Sequence, residues 1–401
     1  MKNKIAPIVL AAVALVLFAA DPSGAFGQGP VPPAADLKAR VSALIERFPA
    51  DNAGVRDALC AELIKLGPAG LAESFVLVLP PGAGNDAKAR FAINGLAVYV
   101  TRTGAEAERQ MFVKAILATL ASSADKQVAS FFVSQVQIAG KAEAVKPLAL
   151  YLRDQALAGP AVAALQTIGG PEAAKVLLQG LEASSGAAKL AIIDALGAMR
   201  SREAVKRLMP LAESNDPPVR RAARFALANI GDPSAGPALA KVRVAASWNE
   251  RAEAPGLYLL YARRLQESGQ AAAALEAARA VLAAYGRPED SQVGAEALTL
   301  IVSILGEKAF PDLVSAVDGP SPALRAAALE LATHGTGEEA GLWVKEAEKA
   351  GPEIRASIVA MLGRHRNPAN AVDYLRQGLR DPDKRVRLAA IRIVWRLRCR
   401  H

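Results

Sequence analysis

The sequence predicts an all-α protein, a right-handed superhelix of about nine helix pairs stacked along the chain. The first observation is an internal repeat, because residues 171–201 align without a gap to residues 202–232. Each copy also holds two short amphipathic stretches separated by a turn. The composition is rich in alanine and holds only 5% aromatic residues over 401 residues. This combination is typical of an α-solenoid, in which only neighbouring repeats touch.

The second stretch of each repeat carries its apolar residues at helical spacing. Ile192 and Leu196 lie on one face in the first copy, and Val219 and Leu227 lie on the same face in the next. The turn at 215–218 supplies a capping side chain and then two prolines, which suit the first turn of a helix. Each repeat is therefore predicted to be a helix, a tight turn and a second helix.

The first 25 residues form a separate segment. Lys2 and Lys4 precede an apolar run at 5–20, and small residues follow it. This pattern predicts a secretory signal peptide at 1–25, and a Gly/Pro-rich linker follows at 26–33. An uncleaved membrane anchor is the alternative, although the run is shorter than the ~20 residues that a span requires. We therefore expect an exported protein, periplasmic or extracellular, with no transmembrane segment after cleavage.

The rest of the chain divides into two parts. Residues 34–140 hold irregular helical repeats, and residues 141–401 hold regular ones with a longer insertion at about 245–307. The break at Gly67-Pro68 is expected to separate two helices. The helices predicted in the irregular part cover 36–47, 53–66, 71–79, 86–100, 105–120 and 126–138.

The insertion has a different helical pattern. Leu265 and Gly269 close one helix, and Ala274, Ala278 and Leu282 line the next. This stretch resembles a single tetratricopeptide unit. The resemblance implies that one helix pair of that kind interrupts the regular repeats.

The regular repeats share a motif at the start of their second helix. It reads DPPVRRAARFALANIG from Asp216 and DPDKRVRLAAIRIV from Asp381. These segments resemble the second helix of HEAT repeats of the phycobilisome-lyase type, which implies a HEAT/armadillo-type solenoid. In that family a basic residue after the first apolar position braces neighbouring turns. The residues expected to form this structural ladder are Lys189, Arg220, Arg325, Arg355 and Arg387.

A second resemblance concerns residues 90–112. This segment is similar to the N-terminal part of large secreted bacterial HEAT proteins, many of which continue into a β-sandwich of the 3-keto-disaccharide hydrolase type. The sequence has no such β-rich segment, so no hydrolase residue is carried over. The scaffold portion of a secreted sugar-processing hydrolase and a phycobilisome-type lyase are the enzymatic alternatives. The predicted export disfavours the lyase, because bilin attachment belongs to the cytoplasm.

The sequence offers no strong catalytic or metal-binding motif. His334, His365 and His401 have no CxxC, HExxH or acidic cluster beside them, so each is expected to be a surface or turn residue. Cys60 is expected to lie in the core, and it is too far along the array from Cys399 for an internal disulfide. We therefore predict no catalytic residue, no metal site and no cofactor, and a protein that is not an enzyme.

Positive charge is concentrated near the end of the sequence. Residues 364–401 carry a net charge of +8 out of +9 for the whole chain. On an exported protein this favours a protein or an anionic surface polymer over nucleic acid, for which stacking aromatic residues are few. The binding residues expected on the outer side of the last helix are Arg385, Arg392 and Arg396.

The last predicted helix also carries an uncapped apolar stripe. We therefore expect a partner, a second copy of the chain or a further domain to cover it. Taken with the basic residues, this predicts a secreted, non-catalytic scaffold that binds a protein or an anionic polymer.

Overall fold

The computed structural model describes residues 34–241, 248–366 and 371–398, and the regular elements in these ranges are helical. The predicted leader and linker, Cys399 and His401 lie outside the described residues. The α-helices are α1 (Ala34–Ile45), α2 (Ala53–Lys65), α3 (Gly67–Phe75), α4 (Ala87–Tyr99), α5 (Glu106–Ser122), α6 (Lys126–Ala139), α7 (Ala142–Ala149), α8 (Ala158–Ile168), α9 (Gly170–Ala183), α10 (Gly186–Ala198), α11 (Val205–Leu211), α12 (Pro217–Ile230), α13 (Gly236–Ala240), α14 (Trp248–Glu267), α15 (Ala271–Tyr285), α16 (Ser291–Leu305), α17 (Phe310–Asp318), α18 (Pro322–Ala332), α19 (Gly337–Lys349), α20 (Pro352–Leu362), α21 (Val372–Gln377) and α22 (Lys384–Arg398).

The helices alternate between two layers. Each even-numbered helix from α2 to α20 packs against its odd-numbered predecessor and also against the next even-numbered helix, and α22 packs against α20 and against the turn at 378–380. The described residues form eleven such pairs, more than the nine or so that the sequence predicts. Helix α13 escapes the sequence pattern because its 5 residues span less than two helical turns. The stacked pairs confirm the predicted all-α solenoid.

Helix α3 begins earlier than the sequence predicts. It starts at Gly67 instead of residue 71, and Pro68 lies in its first turn. The missing N–H of a proline needs no partner there, so the Gly67-Pro68 pair starts a helix immediately after α2 ends. The other helices of the irregular part lie within a few residues of their predicted bounds.

The long insertion continues the two-layer arrangement. Helix α15 packs against both α14 and α16, and it is the first helix of the pair that α16 completes. Ala274 and Ala278 are fully buried on α15, and Leu282 is partly buried. Gly269 has a φ of +79° in the turn between α14 and α15, a conformation that glycine adopts without strain.

The apolar core runs along the array in two clusters. One cluster extends from Leu37 to Ala309, and the other extends from Leu298 to Ile393. Helix α16 contributes to both, because Ala297 and Ile301 belong to the first cluster and Leu298 belongs to the second. Among the described residues, no helix combines the length and apolar character needed to span a membrane.

Candidate binding surface

The exposed side of α22 begins with a capped, charged turn. The Asp383 carboxylate accepts the backbone N–H of Arg385 at 2.8 Å and its guanidinium at 2.9 and 3.0 Å. These hydrogen bonds from Arg385 lower the pKa of Asp383 to about 2. Arg385, one of the predicted binding residues, is therefore already paired within the chain, although its side chain is 58% exposed.

The middle of the same face combines apolar and basic side chains. Leu388 is 44% exposed and Ile391 is 52% exposed. Arg392 follows Leu388 by one helical turn and is exposed, with no ion pair to another residue that the structure describes. The third predicted binding residue, Arg396, has its side chain outside the described residues. Arg385 and Arg392 are exposed, as the sequence spacing predicts, but this spacing does not predict the exposure of Ile391.

Helix α21 and the turn after it carry two more exposed apolar side chains. Val372 and Leu379 are each 37% exposed. Among the described residues twelve large apolar side chains are exposed, and four of them lie in this one helix pair. We call this region the basic–apolar surface, formed by Val372, Leu379, Lys384, Arg385, Leu388, Ile391 and Arg392.

The opposite side of α22 fixes the position of this surface. Val386, Ala390 and Ile393 are buried against the preceding pair. Helix α22 can approach the end of α20 this closely because residue 363 is a glycine. A Cβ atom at Gly363 would lie 2.2 Å from the Ile393 side chain. The exposed residues are thus presented by a helix whose inner face is packed from Val386 to Ile393.

Two of the predicted ladder arginines join neighbouring repeats. Arg325 donates to the Val317 carbonyl at 2.8 Å and to Glu353 of the next repeat at 2.8 Å. Arg355 donates to the Ala350 carbonyl at 3.1 Å and to Asp381 of the next repeat at 3.0 Å. Each side chain therefore ties the end of one helix to a residue in the following pair.

The other predicted ladder residues differ in whether their side chains reach a backbone carbonyl. Arg220 donates to the Ser214 carbonyl at 2.6 Å, and Arg387 donates to the Asp381 carbonyl at 2.7 Å. The Lys189 side chain has no hydrogen bond or ion pair to another described residue. An ammonium group lacks the planar fork with which a guanidinium reaches two acceptors at once.

Two further arginines donate to a backbone carbonyl that precedes their own helix, as the predicted ladder arginines do. Arg90 donates to the Leu79 carbonyl at 3.1 Å, and Arg224 donates to the Ala212 carbonyl at 2.9 Å. Arg90 occupies the ladder position in the irregular part of the chain, where the sequence repeat is too weak to reveal it. Arg224 is half-buried.

Arg109 is the most buried charged side chain among the residues that the structure describes. It is 3% exposed and donates to Glu106, to Glu143 at 2.5 Å and to the Ala139 carbonyl at 2.8 Å. The hydrogen bonds from Arg109 and Lys141 lower the pKa of Glu106 well below its usual range. The cluster joins the start of α5 to the end of α6 and the start of α7, which is a packing role.

The described parts of the chain bear on the expectation that the protein has no metal site. No set of three or more His, Cys, Asp or Glu residues there is arranged to hold a metal ion. His334 is exposed. His365 lies in the turn after α20, which is one of the two settings that the sequence predicts, but its side chain is buried. Cys60 is fully buried as predicted, and burial raises the pKa of its thiol to about 12.

Two open grooves lie elsewhere on the array. The larger, of about 610 Å³, lies between the turns at 169–171 and 199–203. The other, of about 360 Å³, lies between α14 and α16, where Gln266 bonds Ser303 at 3.1 Å and Arg263 pairs with Glu296 at 3.3 Å. The side chains of the second groove thus bond one another across it.

The comparisons with known proteins concern the repeats. A family model for HEAT repeats matches residues 174–255. No curated protein sequence matches the chain.

Solved structures with similar helical arrays were also found. A chain from a study of the interaction between cadherin and β-catenin has 16% identity and a TM-score of 0.34, with 90% of this chain and 94% of that chain covered. An engineered protein has 19% identity and a TM-score of 0.31, with 88% of this chain and 98% of that chain covered. A Kap121p mutant has 11% identity and a TM-score of 0.45, with 90% of this chain and 45% of that chain covered.

The matched residues 174–255 include α10 and α12, whose stacking is repeated by the helix pairs on both sides. The chain is therefore an α-solenoid, and its residues 174–255 match the HEAT-repeat family model.

Proposed function

We propose that this chain is an exported, non-catalytic scaffold that binds a partner protein through the basic–apolar surface. The observation that carries the proposal is the concentration of exposed apolar side chains beside basic ones in a single helix pair. Contiguous exposed apolar residues with a polar rim are typical of protein-binding sites. The repeat architecture supports this role because it offers long surfaces and open grooves.

The apolar component favours a protein over an anionic polymer. A polymer of acidic sugars would pair with Arg392 and Lys384 but would leave Leu388 and Ile391 in water. A partner protein covers both kinds of side chain at once. Self-association through this surface is a second candidate, since a further copy of the chain also brings apolar area.

Export is the second part of the proposal and rests on the leader pattern at 1–25. We expect protein recovered outside the cytoplasm to begin at or near Phe26. N-terminal sequencing of that fraction tests this, and an intact Met1 in a membrane fraction would favour an anchor.

The binding role is tested by cross-linking and co-purification of the tagged full chain from its native cells. We expect a partner protein that is retained by the wild-type chain and lost by Leu388→Glu and by Arg392→Glu. Leu150→Glu is the matched control, because Leu150 is 79% exposed on a different repeat. Equal retention by all the variants, or equal loss in the control, would contradict the proposal.

A further inference from the structure

Asp383 already occupies the carboxylate position opposite Arg385. Both of its oxygens accept from the guanidinium, at 3.0 and 2.9 Å, in the bidentate geometry that arginine and carboxylates favour. The same carboxylate caps the first turn of α22 by accepting the Arg385 backbone N–H at 2.8 Å. A carboxylate of the chain itself therefore sits where one from a partner would bind.

The neighbouring charges are committed to other contacts. Asp381 pairs with Arg355 at 3.0 Å and is 11% exposed. Arg387 donates to the Asp381 and Pro382 carbonyls at 2.7 and 2.8 Å. The Asp383–Arg385 pair is more exposed, at 24% and 58%, and it holds no second element in place. It can therefore open without disturbing the packing of α22.

The exposed apolar residues set the shape of the occupant. Leu388 lies three residues after Arg385 and four before Arg392, so the three side chains share one helix face. Ile391 lies beside Leu388 on the other edge of this face. A second helix with an apolar stripe flanked by carboxylates complements this arrangement.

We propose that the α22 face takes an acidic amphipathic helix of a partner protein, and that a carboxylate of this helix displaces Asp383 from Arg385. This inference rests on the proposed function. It names the kind of partner that binds the surface and the residue that competes with that partner. Asp383 then acts as an internal competitor. It lowers affinity for every acidic partner and rejects partners that lack a carboxylate at this position.

The test uses the full mature chain and a synthetic acidic amphipathic peptide of about 20 residues, long enough to form a helix on binding. Asp383→Asn keeps the helix cap, because Asn caps as well as Asp, but it releases the guanidinium. We expect this variant to bind the peptide about three- to fivefold more tightly by calorimetry, the range that one exposed ion pair allows.

The matched control is Asp373→Asn, which removes the same charge from the same helix pair. Asp373 pairs with Arg376 at 3.2 Å, and both side chains are more than 70% exposed, at 87% and 74%. We expect little change in this variant. An equal gain in both variants would show general electrostatics and overturn the inference.

The outcomes separate this inference from the proposed function. In one outcome the peptide binds, Leu388→Glu abolishes binding and Asp383→Asn changes nothing. This result would overturn the proposed competition by Asp383 and would support binding through the basic–apolar surface. If the chain ignores the peptide and binds vesicles of anionic phospholipid instead, the surface recognises lipid and both proposals fail.

Discussion

Small residues decide how closely the helices of this array approach one another. Gly197 at the end of α10 faces α12, and a Cβ atom added there would lie 2.7 Å from the Cα atom of Ala226. Ala226 is itself fully buried. The contact is backbone against backbone, so no flexible side chain can move aside.

Gly197→Ala is expected to destabilise the protein. Overpacking at a rigid backbone contact costs about 1–3 kcal/mol, because the two helices must separate. Gly159→Ala is the control, since no heavy atom lies within 4 Å of its Cβ position, and alanine there should be neutral or slightly stabilising. Urea unfolding curves of the two variants measure the difference. A Gly197→Ala midpoint equal to or above that of Gly159→Ala would show that the α10–α12 contact is wrong.

At the scale of elements, two arginines of the predicted ladder, Arg325 and Arg355, link one helix pair to the next. Arg355 is 24% exposed and its partner Asp381 only 11% exposed, so both charges are largely removed from water. Arg221 pairs with Glu253 at 2.8 Å in the same general way, but its side chain is 73% exposed. Burial, not the presence of a partner, should set the energetic difference between these two pairs.

Arg355→Ala is expected to lower the free energy of unfolding by about 1–3 kcal/mol, because it removes the guanidinium from one oxygen of the largely buried Asp381 carboxylate and from the Ala350 carbonyl. Arg221→Ala should change it by less than about 0.5 kcal/mol. Thermal melts of the two variants, compared with the wild-type protein, distinguish these values. A larger destabilisation by Arg221→Ala than by Arg355→Ala would mean that the ladder contributes nothing to the stacking.

Sequence periodicity predicts the elements better than it predicts their partners. The repeat and the helical spacing correctly indicate a solenoid and the buried positions Ile192 and Leu227. They do not reveal the carbonyl acceptors of Arg90 and Arg224, because the path of the preceding turn brings those atoms into reach. They also miss the exposure of Ile391, which depends on the elements that pack around α22.

At the scale of the whole molecule, stability and binding are distributed differently along the array. The apolar core is divided into two clusters that meet at α16, and the helix that carries most of the basic–apolar surface, α22, packs on the second cluster. Because each repeat touches only its neighbours, a change on the exposed face of α22 should leave the first cluster intact. Substitutions on this surface therefore test binding without unfolding the scaffold.

The measurement that tests the central claim most directly is a charge reversal on both sides of the interface. Arg392→Glu is titrated with the acidic amphipathic peptide and with a twin peptide in which every glutamate is replaced by lysine. We expect the variant to lose affinity for the acidic peptide and to gain affinity for the basic twin, with both effects reduced by salt. A variant that binds both peptides as the wild-type chain does would contradict the claim that this surface recognises an acidic partner.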